Sequence, residues 1–204
     1  GEAVMVGNGN SPPANLSSLL APFDDDYSSP QIAADGKVVV HSDTLGVGAV
    51  SEFDANASVA FTELVTAEGF PASLGTLTEV TLGLRSDDGS VAFVGNSDEQ
   101  AARALYFANG GLLQPDQAAL LHDGLTRPMI ANGRTAVFRQ QNGGTFEIVV
   151  VRPSGSSFVS QVLASTNAAD PAKLFQDLGP APGISSDGSI VVFSGNRGNG
   201  PGVF

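Results

Sequence analysis

Cysteine is absent from all 204 residues. Its absence excludes disulfides, thiolate metal centres and cysteine nucleophiles. Tryptophan is also absent, and tyrosine occurs only as Tyr27 and Tyr106. Carbohydrate platforms stack sugars on exposed aromatic rings, so strong sugar binding is disfavoured. Lys and Arg total 9, scattered without a cluster, against 21 Asp and Glu. Neutralising phosphates takes clustered cations, so no nucleic-acid partner is expected. An anionic membrane surface is disfavoured for the same reason. No apolar run reaches the roughly 18 residues of a membrane span, so no membrane insertion is expected. The two histidines, His41 and His122, show no spacing that unites them with a carboxylate as a metal site.

Apolar residues make up 42% of the chain, enough for a packed core. Gly 25 and Pro 12 suit many short strands joined by turns rather than helices. The formal net charge of −12 favours solubility and cation binding. Lysine is confined to Lys37 and Lys173, while Asn, Ser, Thr, Gly and Ala abound. With no cysteine, that composition reads as an extracellular or cell-surface bacterial protein, with the periplasm as the other compartment. The chain opens on Gly1-Glu2-Ala3 without Met, as expected of a processed or excised polypeptide.

Four segments share one pattern: an apolar residue (Ile32, Leu84, Ile130, Ile184), a polar turn, a glycine, then a β-branched or aromatic run. The turn glycines are Gly36, Gly89, Gly133 and Gly188. Asp-Gly and Asn-Gly predict tight type I′ turns. The nearly continuous apolar runs after them predict strands buried on both faces. The glycines are 53, 44 and 55 residues apart, and the return from Gly188 past the C-terminus to Gly36 is 52. Four similar gaps account for the whole chain, which averages 51 residues per repeat.

A unit of that length with four short strands is one propeller blade. The expected fold is therefore all-β: a single four-bladed β-propeller domain over 1–204. Its blades fall near 30–81, 82–127, 128–181, and 182–204 joined to 1–29. The fourth is closed by strands from both termini, Ala3–Val6 and Leu20–Phe23 with Ile190–Ser194 and Gly202–Phe204. Further strands are expected at Val59–Leu64, Ala104–Ala108, Phe146–Val151 and Phe158–Ala164. Leu74–Thr81 and Leu174–Leu178 are expected as fourth strands leading into the next repeat. Short helical patterns occupy Glu99–Arg103 and Asp116–His122.

Ser186-Asp187-Gly188-Ser189-Ile190-Val191-Val192-Phe193-Ser194-Gly195-Asn196-Arg197 resembles the TolB-type propeller repeat. Pro182…Gly188…Phe193, Ser90-Val91-Ala92-Phe93 and Tyr106-Phe107-Ala108-Asn109-Gly110-Gly111 resemble a bacterial secreted tandem repeat with an N-x-x-G-x-x-A-F signature. The sequence departs from that signature where Ala33 and Ser185 replace its Asn, and where His41 stands at its Phe. The resemblance implies propeller architecture and a cell-surface or periplasmic location. It transfers no catalytic residue.

Asp24-Asp25-Asp26 is the sharpest acidic cluster and the candidate calcium site, since Ca²⁺ takes several hard oxygen ligands. A solvated loop explains it equally well, and no other cofactor is expected. Asp87-Asp88 and Asn96-Ser97-Asp98-Glu99 read as turns. No G-x-S-x-G motif or phosphate loop is present. No catalytic residue stands out, so the leading reading is a non-catalytic interaction or scaffold module with a protein partner. Two alternatives stand beside it. One is a self-associating fibre subunit that pairs its terminal strands. The other is a hydrolase or lyase at the central channel, for which Arg85, Arg134 and Arg139 are the candidate cations.

Overall fold

A computed structural model describes residues 5–6, 14–15, 27–33, 35–42, 49–54, 61–65, 72–99, 103–108, 116–121 and 128–204. By internal contacts the chain forms two compact units, residues 1–101 with 106–116, and residues 102–105 with 117–204. The fold is all-β and built from antiparallel sheets.

β1 (Met5–Val6) pairs only with β2 (Ala14–Asn15) among the described residues. The first repeat is a four-stranded sheet of β3 (Tyr27–Ile32), β4 (Lys37–Ser42), β5 (Ala49–Asp54) and β6 (Phe61–Val65), in that order. The second runs β7 (Leu77–Arg85), β8 (Val91–Ser97), β9 (Ala104–Ala108) and β10 (Asp116–Leu120). The third runs β11 (Met129–Ala131), β12 (Thr135–Asn142), β13 (Thr145–Ser154) and β14 (Ser157–Ser165). In the fourth, β15 (Asp177–Leu178), β18 (Ser194–Asn196) and β19 (Pro201–Val203) form one sheet. β16 (Gly183–Ile184) and β17 (Val191–Val192) pair beside it. Each repeat glycine lies in the turn between the first two strands of its sheet.

The strand after the glycine is buried on both faces in the second and third repeats, from Val91 to Val94 and from Ala136 to Phe138. The fourth departs from that expectation. Phe193 is buried, but Ile190 and Val192 are exposed on the other face. Tyr106 is fully buried and stacked on Phe93 with centroids 5.0 Å apart, so it offers no sugar platform. A second core gathers Val137, Ile148, Val150, Ala164, Phe175, Leu178 and Phe193.

Several expectations are corrected. Asp116–Leu120 is a strand, not a helix, because pairing in the sheet overrides the helix preference of Gln-Ala-Ala-Leu. Of Glu99–Arg103, Glu99 is in a turn, Arg103 is non-helical, and 100–102 lie outside the described residues. Leu74–Thr81 does not end the first repeat. From Leu77 it is the start of β7, paired with β8 as the first strand of the second sheet. Likewise, from Asp177, Leu174–Leu178 enters the fourth sheet by pairing with β18. β5 was not expected. Leu20–Phe23 lies outside the described residues. No sheet among the described residues joins a strand from one terminus to a strand from the other.

Candidate functional site at the repeat turns

Three of the repeat turns share one hydrogen-bond plan. The glycine N–H donates back three residues, from Gly36 to Ala33, Gly89 to Ser86 and Gly188 to Ser185. The Asp before each glycine accepts the backbone N–H two residues beyond it. Lys37 donates to Asp35 at 3.0 Å, Ser90 to Asp88 at 2.9 Å and Ser189 to Asp187 at 3.0 Å. Ser86 and Ser185 also donate their hydroxyls to Asp88 and Asp187, each at 2.6 Å.

This plan corrects the type I′ expectation. Type I′ needs positive φ at two consecutive residues. In these three turns only the glycine is left-handed, with φ 82°, 86° and 72°. The side-chain bond keeps Asp right-handed, giving a type I turn followed by a left-handed glycine. Two consecutive positive φ values occur in the third turn, at Gly133 (69°) and Arg134 (60°).

The densest polar cluster joins the first two repeats. A Cβ on Gly83 would lie 2.8 Å from Val50 Cγ1 and 3.0 Å from Val39 Cγ1. The bare glycine thus lets β7 lie close against β4 and β5. Two residues on, on the same face of β7, Arg85 reaches Glu52 of β5. Its Nη1 donates to Glu52 Oε2, and its Nη2 donates to Asp35 Oδ2 at 2.9 Å. Lys37 Nζ completes the group on Glu52 Oε1 at 2.8 Å. The Arg85 side chain is only 5% exposed and that of Glu52 13%. Two cations and two carboxylates balance, so the cluster presents no net charge to a substrate.

The second compact unit couples its turns differently. Asn132 N–H donates to Ser186 C=O at 2.8 Å, and Arg152 Nη2 donates to Gly188 C=O at 3.2 Å. Arg134 lies over the Phe158 ring at 4.8 Å and Arg139 over Phe146 at 3.9 Å. Gln140 is buried and donates to Glu147 at 3.1 Å.

Three carboxyls in this architecture titrate low. The Lys37 N–H, and then Arg85, hold Asp35 below the ordinary value of 3.8. The Thr76 N–H, 2.6 Å away, does the same for Asp98, tying the loop before β7 to the end of β8. The Ser185 hydroxyl, followed by the Ser189 N–H and hydroxyl, lowers Asp187 to about 2. Burial pushes the Tyr106 phenol up.

Asp24, Asp25 and Asp26 lie outside the described residues, as does His122. His41 is buried in β4. Asp87 and Asp88 stand in a turn, as expected, with Asp88 bonded to Ser86 and Ser90. Asn96 donates to Glu79 at 2.9 Å. Among the described residues, no group of three or more His, Cys, Asp or Glu could hold a metal ion. Arg85, Arg134 and Arg139 do not converge as one set: Arg85 is ion-paired, and the other two lie on aromatic rings. Sequence reasoning missed Glu52, whose signal was a lone carboxylate in an apolar strand.

No protein-family model matches the chain, and no curated protein matches it. Solved structures do share its fold. TolB from Acinetobacter baumannii superposes with a TM-score of 0.54 at 13% identity, over 85% of this chain and 39% of that one. A putative TolB from Agrobacterium tumefaciens gives 0.54 at 14% identity, over 89% and 58%. XC5397 from Xanthomonas campestris, described as a gluconolactonase, gives 0.53 at 16% identity, over 87% and 58%. This chain therefore spans from 39% to 58% of the length of these neighbours. At such identities the likeness establishes a β-propeller fold and nothing about activity.

Proposed function

We propose that this chain is a non-catalytic β-propeller module that serves as an interaction or scaffold unit outside the cytoplasm, in the periplasm or at the cell surface. Its repeats are read as four blades. The observation that carries the functional reading is the use made of Arg85. A hydrolase or lyase would need that cation free to meet a substrate anion, yet Glu52 and Asp35 neutralise it inside the protein. The turn carboxylates Asp88 and Asp187 are likewise engaged by backbone N–H and serine hydroxyl groups. The location rests on the absence of cysteine, the two lysines and the abundance of small polar residues. Calcium at Asp24-Asp25-Asp26 remains part of the proposal and is tested by calorimetric titration of the full chain.

The likeness to a gluconolactonase supplies the competing reading and the assay. Hydrolysis of lactones, aryl esters and aryl glycosides, each with and without added calcium, tests it. The interaction-module reading expects no turnover above buffer.

A further inference from the structure

We propose that the open face of the fourth-repeat sheet is a self-association surface, and that its occupant is the same face of a second copy of this chain. The inference rests on the interaction-module reading and names the partner.

Alternation along the strands defines the face. β18 and β19 pair Ser194 with Val203, so those residues share a face, and Val192 and Ile190 extend it at two-residue spacing. Phe193 and Gly195 point the other way, into the core. Ile190 is 61% exposed, Val192 43% and Val203 75%. The matching strands β8 and β12 are buried on both faces, and the fourth repeat carries the same apolar run. Its sequence is that of a strand covered on both sides, with one cover missing among the described residues.

The edge of the sheet is also available. Phe193 and Phe204 exchange both backbone hydrogen bonds, at 3.1 and 2.9 Å. Val203 is the next residue in the ladder, so its own N–H and C=O point away from β18. β19 is the outer strand of its sheet.

Charge selects the occupant. Residues 171–204 carry Lys173 and Arg197 against Asp177 and Asp187, a balance of zero. The entire net charge of −12 therefore resides in residues 1–170. Elsewhere two copies repel one another. Here a two-fold arrangement can set each charge near its opposite and bury the apolar stripe against itself. A same-face contact closes at two copies.

Sedimentation equilibrium of the full chain, from about 10 μM to about 1 mM, tests this. The expected mass rises from 20.7 kDa to twice that value and stops there. The double variant Val192→Lys/Val203→Lys should weaken association at least about tenfold while leaving circular dichroism unchanged. Val159→Lys, at an exposed position on β14, should leave it unaltered. A 20.7 kDa species at every concentration would overturn the proposal, showing that this face is covered within one chain. A mass climbing past two copies, or a dimer indifferent to the double lysine variant, would overturn it equally. Failure to dimerise leaves the absence of turnover intact, and turnover with intact dimerisation would instead remove the non-catalytic reading.

Discussion

Arg85 on β7 and Glu52 on β5 form an ion pair across 33 positions of sequence, linking the second repeat to the first. The pair exists because Gly83 lets the two sheets approach. Both side chains are largely withdrawn from water, so each needs the other.

Arg85→Met strands the Glu52 carboxylate in that setting. The expected loss is about 3 kcal/mol in urea unfolding, because an uncompensated buried charge costs more than the pair contributes. Arg85→Met/Glu52→Gln should recover most of the loss, since it removes both charges. Additive losses in the double variant would show that the two residues act separately.

Acid should loosen the repeat turns. Asp35 and Asp187 have lowered folded-state pKa values. Their contribution is therefore complete above the ordinary aspartate value of 3.8 and disappears as pH falls through the folded value, about 2 for Asp187. Carboxyl carbon NMR should give Asp187 a midpoint near 2. A midpoint near 3.8 would mean that the Ser185 and Ser189 bonds do not persist in solution.

Two glycines separate steric from conformational cost. A Cβ on Gly95 would lie 2.7 Å from the Glu79 carbonyl oxygen, which the sheet holds in place. Gly95→Ala should cost about 1–3 kcal/mol through overpacking. Gly133 has open space around its Cβ position but a φ of 69°. Gly133→Ala should cost only about 1 kcal/mol, the strain of a left-handed residue. Thermal unfolding of the two variants, side by side, checks the order.

The repeat was legible because its signals are local. A glycine after Asp or Asn, followed by a β-branched run, marks β4, β8 and β12 without knowledge of distant residues. Ala104–Ala108 was read with the bounds that β9 has. The turn type was not legible, because it depends on a bond from Asp35, Asp88 or Asp187 to an N–H two residues on. That bond competes with the left-handed conformation that the Asp-Gly pair suggests. Asp116–Leu120 was misread because its residues prefer helix and only its neighbour in the sheet decides otherwise. The Arg85–Glu52 pair was beyond reach, since nothing in either strand names the other. The exposed stripe of Ile190, Val192 and Val203 was hidden for a related reason: an apolar run shows what a strand can bury, not whether a neighbour is present to bury it.

Initial-rate measurement on δ-lactones, aryl esters and aryl glycosides, using wild-type protein beside Glu52→Gln, tests the central claim most directly. The predicted result is no turnover above buffer for either protein, whatever the stability of the variant. Saturable turnover by the wild type, lost when Glu52 is neutralised in a chain that remains folded, would contradict it and make the cluster at Arg85 an active site.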